Sequence, residues 1–124
     1  MLEKFTAYQM AKKYYSICKT QELPKFLYDQ LQRASSSIVL NLAEGSAKRT
    51  MRDRRRFYNI AYGSLRECQA IIDLEKNDLI ELTTLGNQLG AILYTLCRAA
   101  RERERFNSEN TQQNLSLKPQ PPNS

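Results

Sequence analysis

The stretch PKFLYDQLQRASSSIVLNLAEG, residues 24–45, decides the fold. Leu27, Leu31, Ala34, Ile38 and Leu42 recur at steps of four, three, four and four. That spacing draws one apolar stripe down a helix, whereas a strand would need alternation. Pro24 stands where a first helical residue has no use for its missing N–H, and Gly45 stands where a helix is expected to stop. The triple Ser35-Ser36-Ser37 has modest helix propensity, but its small side chains let a second helix come close. A stripe about 100° wide has to be buried against other helices.

Those other helices flank it. Upstream, over about residues 3–20, Ala7, Ala11, Tyr14 and Cys18 form a stripe flanked by Met10 and Ile17, with Lys12, Lys13 and Lys19 turned away. Downstream, Thr50-Met51-Arg52-Asp53 reads as a capping box just before an apolar run. Phe57, Ile60, Ala61, Ser64, Cys68, Ile71 and Ile72 then mark one face as far as about residue 76, and Asn77-Asp78 makes a turn. A fourth helix is expected over about 81–105, on Leu82, Leu85, Leu89, Ile92, Leu93, Leu96 and Ala100, with Gly86 and Gly90 on a flank for close packing. Residues 107–124 are polar and end in prolines, the composition of a disordered tail. Short connections make successive helices antiparallel neighbours. The expected architecture is an all-α, antiparallel up-down four-helix bundle over residues 1–106, with helices near 3–20, 25–44, 51–76 and 81–105.

Composition narrows the chemistry. Only 4 glycines and 4 prolines interrupt 124 residues, which suits long helices. No run approaches the roughly 18 apolar residues of a membrane span, and the N-terminus lacks a secretory pattern, so a cytoplasmic protein is expected. Cys18, Cys68 and Cys97 are odd in number and widely separated, and read as small buried hydrophobes. There is no histidine. That removes Ser-His and Cys-His nucleophile pairs and the usual imidazole metal sites, including those of di-iron bundles. No enzyme activity, cofactor or metal is expected.

Charge is concentrated. Nineteen basic and 13 acidic residues give a formal +6. Residues 48–56 hold Lys48, Arg49, Arg52, Arg54, Arg55 and Arg56 against Asp53 alone, a net of +5. The up-down topology brings Arg98, Arg101, Arg103 and Arg105 to the same pole, where Glu102 and Glu104 soften the field. Cations at a helix N-terminus oppose the macrodipole, by about 0.3–1 kcal/mol each when exposed, so crowding them there favours a functional reason. Arg54, Tyr58, Tyr62 and Arg66 follow at four-residue steps and are expected on one face. Arginine forks bind phosphate and tyrosine rings stack on bases. The candidate nucleic-acid-binding residues are therefore Lys48, Arg49, Arg52, Arg54, Arg55, Arg56, Tyr58, Tyr62, Arg101 and Arg105.

Two motifs go further. QLQRASSSIVLNLAEG (residues 30–45) is followed by RFYNIAYGSLRE (residues 56–67). The Asn-x-Ala-Glu-Gly helix end, then Arg-Phe, Ala-x-Gly-Ser and Glu, resemble the signature of the four-helix-bundle proteins encoded in intervening sequences of bacterial 23S rRNA genes. The resemblance covers residues 5 to about 100. One departure is Val39, where the family commonly has proline, so the second helix is expected to be straighter here. The resemblance implies a homopentamer without established catalysis, and a remote likeness to the RNA-binding accessory protein of diversity-generating retroelements. It also implies that the matched Asn41, Glu44, Ser64 and Glu67 form an interhelix polar network, with Glu44 or Glu67 paired to Arg33 or to hydroxyl donors, since buried carboxylates need partners.

Two functions compete. One is an oligomeric, non-enzymatic bundle that binds RNA or DNA phosphates through the basic pole. The other is a self-assembling protein–protein interaction module with no nucleic-acid role, whose partner the sequence does not identify.

Overall fold

In the computed structural model, which describes residues 2–76 and 79–117, four helices follow one another: α1 (Leu2–Cys18), α2 (Lys25–Ala47), α3 (Met51–Leu74) and α4 (Ile80–Leu117). Each packs against its two neighbours around a ring, α1 on α2, α2 on α3, α3 on α4 and α4 on α1, with no diagonal pair in contact among the described residues. This is the antiparallel up-down bundle that the apolar stripes require. The second-helix residues Leu27, Leu31, Ala34, Ile38 and Leu42 are all buried, as are Ala7, Ala11, Tyr14 and Cys18 on α1. Leu82, Leu85, Leu89, Leu93, Leu96 and Ala100 close the core from α4.

Local chemistry sets the helix ends. At the start of α3 the Thr50 side chain accepts a hydrogen bond from the Asp53 N–H at 3.1 Å, half of the expected box. Pro24 precedes α2, and its carbonyl accepts from the Leu27 and Tyr28 N–H groups. At the far end of α3, Lys76 takes the left-handed conformation (φ 51°), and its N–H reaches the Asp73 carbonyl.

Several boundaries differ from the sequence reading. Gly45 does not end α2. It lies inside the helix, buried, and no glycine has a positive φ. A Cβ at position 45 would come within 2.8 Å of Tyr58 Cε1, so the residue is small in order to admit a ring. Ile60, expected in the core, is 42% exposed. The larger correction concerns residues 107–117, expected to be disordered: α4 runs through them to Leu117. Extending an existing helix avoids the unfavourable nucleation step, and no breaker occurs before Pro119. Residues 118–124, also expected in the tail, lie outside the described residues, as does the Asn77-Asp78 turn.

Candidate nucleic-acid interface

The start of α1, the end of α2, the start of α3 and the last third of α4 meet at one pole. Arg55 Nη1 reaches Glu104 Oε2 at 3.0 Å, which ties α3 to α4 there. Burial, with the charges of Arg54 and Arg103 nearby, pushes the Lys4 ammonium below its usual range. Lys4 therefore belongs to this pole, although no sequence signal placed it there.

The candidate residues divide by what they touch. Arg49, Arg52, Arg101 and Arg105 are exposed and make no ion pair among the described residues. Arg56 is exposed, with its guanidinium 5.6 Å from the Phe57 ring centre. Lys48 lies 3.6 Å from Glu44 and 5.1 Å from the Phe57 ring centre. Arg54 donates through Nε to the Lys48 carbonyl at 2.7 Å, so it caps the end of α2 and is half-buried there. Arg55 is partly neutralised by Glu104. Tyr62 faces α4, its ring 6.4 Å from that of Tyr94 and tilted by 57°. Tyr94 was missed in the sequence reading, yet it is 54% exposed.

Tyr58 is corrected. It is 2% exposed and packs into the space that Gly45 leaves beside it, where no base can stack on it. The expected polar network is also corrected in part. Ser37 and Ser64 share a hydrogen bond of 2.8 Å between α2 and α3, and Asn41 Nδ2 donates to the Ser37 hydroxyl at 3.0 Å. Arg33, Glu44 and Glu67 are exposed instead, and among the described residues Glu44 pairs only with Lys48. Hydroxyl and amide groups suffice to hold this seam, so no carboxylate has to be buried.

The thiols are chemically quiet. Burial pushes Cys18 up to about 12, despite a hydrogen bond from Ser35 that works the other way. Burial raises Cys68 further, and raises Cys97 against the opposing charges of Arg101 and Arg55. No group of three or more His, Cys, Asp or Glu side chains among the described residues is placed to hold a metal ion. No described helix is long and apolar enough to cross a membrane.

The family model for the 23S rRNA-intervening sequence protein matches residues 4–98, most of the four helices. The chain belongs to this family. No curated protein and no solved structure matches it. Within this family member, the matched span holds the α2–α3 arginine cluster and the Ser37–Ser64 seam, while Arg101, Arg103, Arg105 and the far end of α4 lie beyond it.

Proposed function

We propose that this protein is a non-enzymatic, self-assembling bundle that binds RNA or DNA phosphates through its basic pole. The observation that carries the reading is the convergence of Arg49, Arg52, Arg101 and Arg105, from two segments about 50 residues apart, all exposed and without ion pairs among the described residues. Unpaired guanidinium groups gathered on one end form a field that draws in polyanions. Self-assembly is supported by a separate surface. Phe26 and Leu40 on α2 and Ile60 and Leu74 on α3 are exposed (68, 63, 42 and 68%). The Ser37–Ser64 bond sets the register, so Phe26 lies level with Leu74, and Leu40 with Ile60. Exposed Arg33 and Glu67 stand between these rungs, a pattern of opposite charges suited to a second copy.

Binding of RNA measured by filter retention at several salt concentrations tests the first part. Log affinity should fall linearly with log salt, and Arg52→Ala with Arg101→Ala should flatten the slope by about 0.7 per lost phosphate contact on single strands and about 0.9 on duplex DNA. Replacing Lys12 and Lys13, exposed on α1 and remote from the pole, should change it little. Equal losses from both pairs would mean diffuse attraction without a site. No binding at about 50 mM salt, together with light scattering above 14.4 kDa, would favour the interaction module with no nucleic-acid role.

A further inference from the structure

The seam between α3 and α4 carries three rungs whose chemistry changes in order. Arg55, Tyr62 and Gln69 follow at seven-residue steps on α3, and Arg101, Tyr94 and Asn87 descend at the same steps on α4. Seven residues are close to two helical turns, so each set stays on one edge of its helix, with rungs about 10 Å apart. The aromatic rung is direct, with Tyr62 and Tyr94 rings 6.4 Å apart. The basic rung lines the same cavity as those rings, of about 190 Å³. The amide rung opens into a second cavity of about 510 Å³, with Arg66, Asp73 and Thr83 also on its walls.

The floor of that second cavity is unusual. Tyr14 crosses from α1, 0% exposed, and its hydroxyl has no hydrogen-bond partner among the described residues. Gly86 lets it through. A Cβ there would lie 3.2 Å from Tyr14 Cε2, 3.4 Å from Gln69 Nε2 and 3.6 Å from the Tyr14 hydroxyl oxygen. Arg66 Nη1 donates to Gln69 Oε1 at 3.2 Å, which leaves the Gln69 amino group facing the Gly86 side of the cleft. Burial raises the Tyr14 phenol far above its usual range, with Cys18 and Cys68 adding to the effect, so it keeps its proton as a donor. Arg66 and Asp73 cancel in charge, so the cleft selects no net charge. Its carboxamides, hydroxyls and apolar walls suit a neutral, flat ligand that both donates and accepts.

We propose that the α3–α4 seam binds an unpaired stretch of nucleic acid, with phosphates at the Arg55/Arg101 rung, a base stacked on Tyr94, and a second base seated between Gln69 and Asn87 above the Tyr14 hydroxyl. This rests on the nucleic-acid reading above and specifies its ligand as single-stranded. Carboxamides read base edges through paired donor and acceptor atoms, and only unpaired bases present both an edge and a face. A free nucleoside offers the cleft the same chemistry without the phosphates.

Fluorescence anisotropy of the full chain with labelled 12-mers of A, C, G or U, and with a 12-base-pair duplex, tests the assignment. Wild type should prefer strands over duplex and prefer one base, each on the order of tenfold. Tyr94→Ala should weaken all four strands by about that factor and leave the duplex unchanged. Asn87→Leu should erase the preference among bases while the salt slope stays the same. Both side chains are exposed, so both variants should fold. The assignment is overturned if wild type binds duplex as tightly as strands, or if neither substitution changes strand binding. If wild type binds no nucleic acid, the phosphate reading fails, and guanosine, adenosine, cytidine and uridine at millimolar concentration decide the cleft alone. Shifts in the carboxamide NMR signals of Gln69 and Asn87 would keep it as a nucleoside site, and their absence would overturn it.

Discussion

The four glycines sit inside helices with ordinary backbone angles, so alanine variants at different glycines differ chiefly by the space beside each. Every such change gains up to about 1 kcal/mol of helix propensity. At Gly63 nothing lies within 4 Å of the added methyl, and the full gain should appear. At Gly45 the methyl would sit 2.8 Å from Tyr58 Cε1, 3.0 Å from Cδ1 and 3.1 Å from Phe57 Cβ. Ordinary carbon contacts lie at about 3.5–4.0 Å, so a ring that is 2% exposed would have to retreat by roughly 0.7 Å or more. Overpacking of that kind costs about 1–3 kcal/mol. Gly63→Ala should therefore raise stability by about 1 kcal/mol, and Gly45→Ala should leave it unchanged or lower it by up to about 2 kcal/mol. The difference between the two removes the shared propensity gain and isolates the packing cost. Urea titration followed by helical circular dichroism gives both numbers, with melting points expected to differ by roughly 3–15 °C. A difference under about 0.5 kcal/mol would refute the idea that Gly45 exists to admit the Tyr58 ring.

Two more outcomes follow from the structure. Lys76→Gly should stabilise the protein by about 1 kcal/mol in the same titration, because a side chain at φ 51° is disfavoured and glycine is not. Stability should also fall as pH rises beyond about 8.5, where the unfolded chain releases thiol protons that native Cys18 and Cys68 retain. Below that pH both states hold the protons and no effect is expected. Above it each thiol contributes a loss approaching about 1.4 kcal/mol per pH unit, up to about pH 12 for Cys18. Serine at both positions should flatten the alkaline limb of a urea-midpoint profile.

The core was legible in the sequence because its residues keep a helical period over whole segments. Ala7, Ala11, Tyr14 and Cys18 are apolar and in step, and all are fully buried. The candidate interface was less legible because a four-residue step turns about 400°, so each repeat drifts about 40° around the helix. Across Arg54, Tyr58, Tyr62 and Arg66 that drift reaches about 120°. The row consequently passes from a capping contact, through the core, to the α4 seam and into solvent. Seven-residue steps drift much less, and the matching triplets of α3 and α4 are the sequence signal that places Gln69, Asn87 and Tyr94 on one seam. Glu44 and Glu67 illustrate a different limit. Their place in a motif fixed their positions along α2 and α3, but only the packing shows that both carboxylates point into solvent.

The length of α4 governs how anything reaches the arginines. Asn107, Thr111 and Gln112 run alongside Thr50 and Arg52, and the helix goes on to Leu117, about 18 Å past Arg105. The basic residues thus form a collar around a shaft, and a flat surface pressed against that end would meet the shaft first. A flexible strand can instead come in from the side and lie along the α3–α4 seam, parallel to the helices. The collar's geometry therefore leaves its side more open to a thin, bendable chain than to a broad surface.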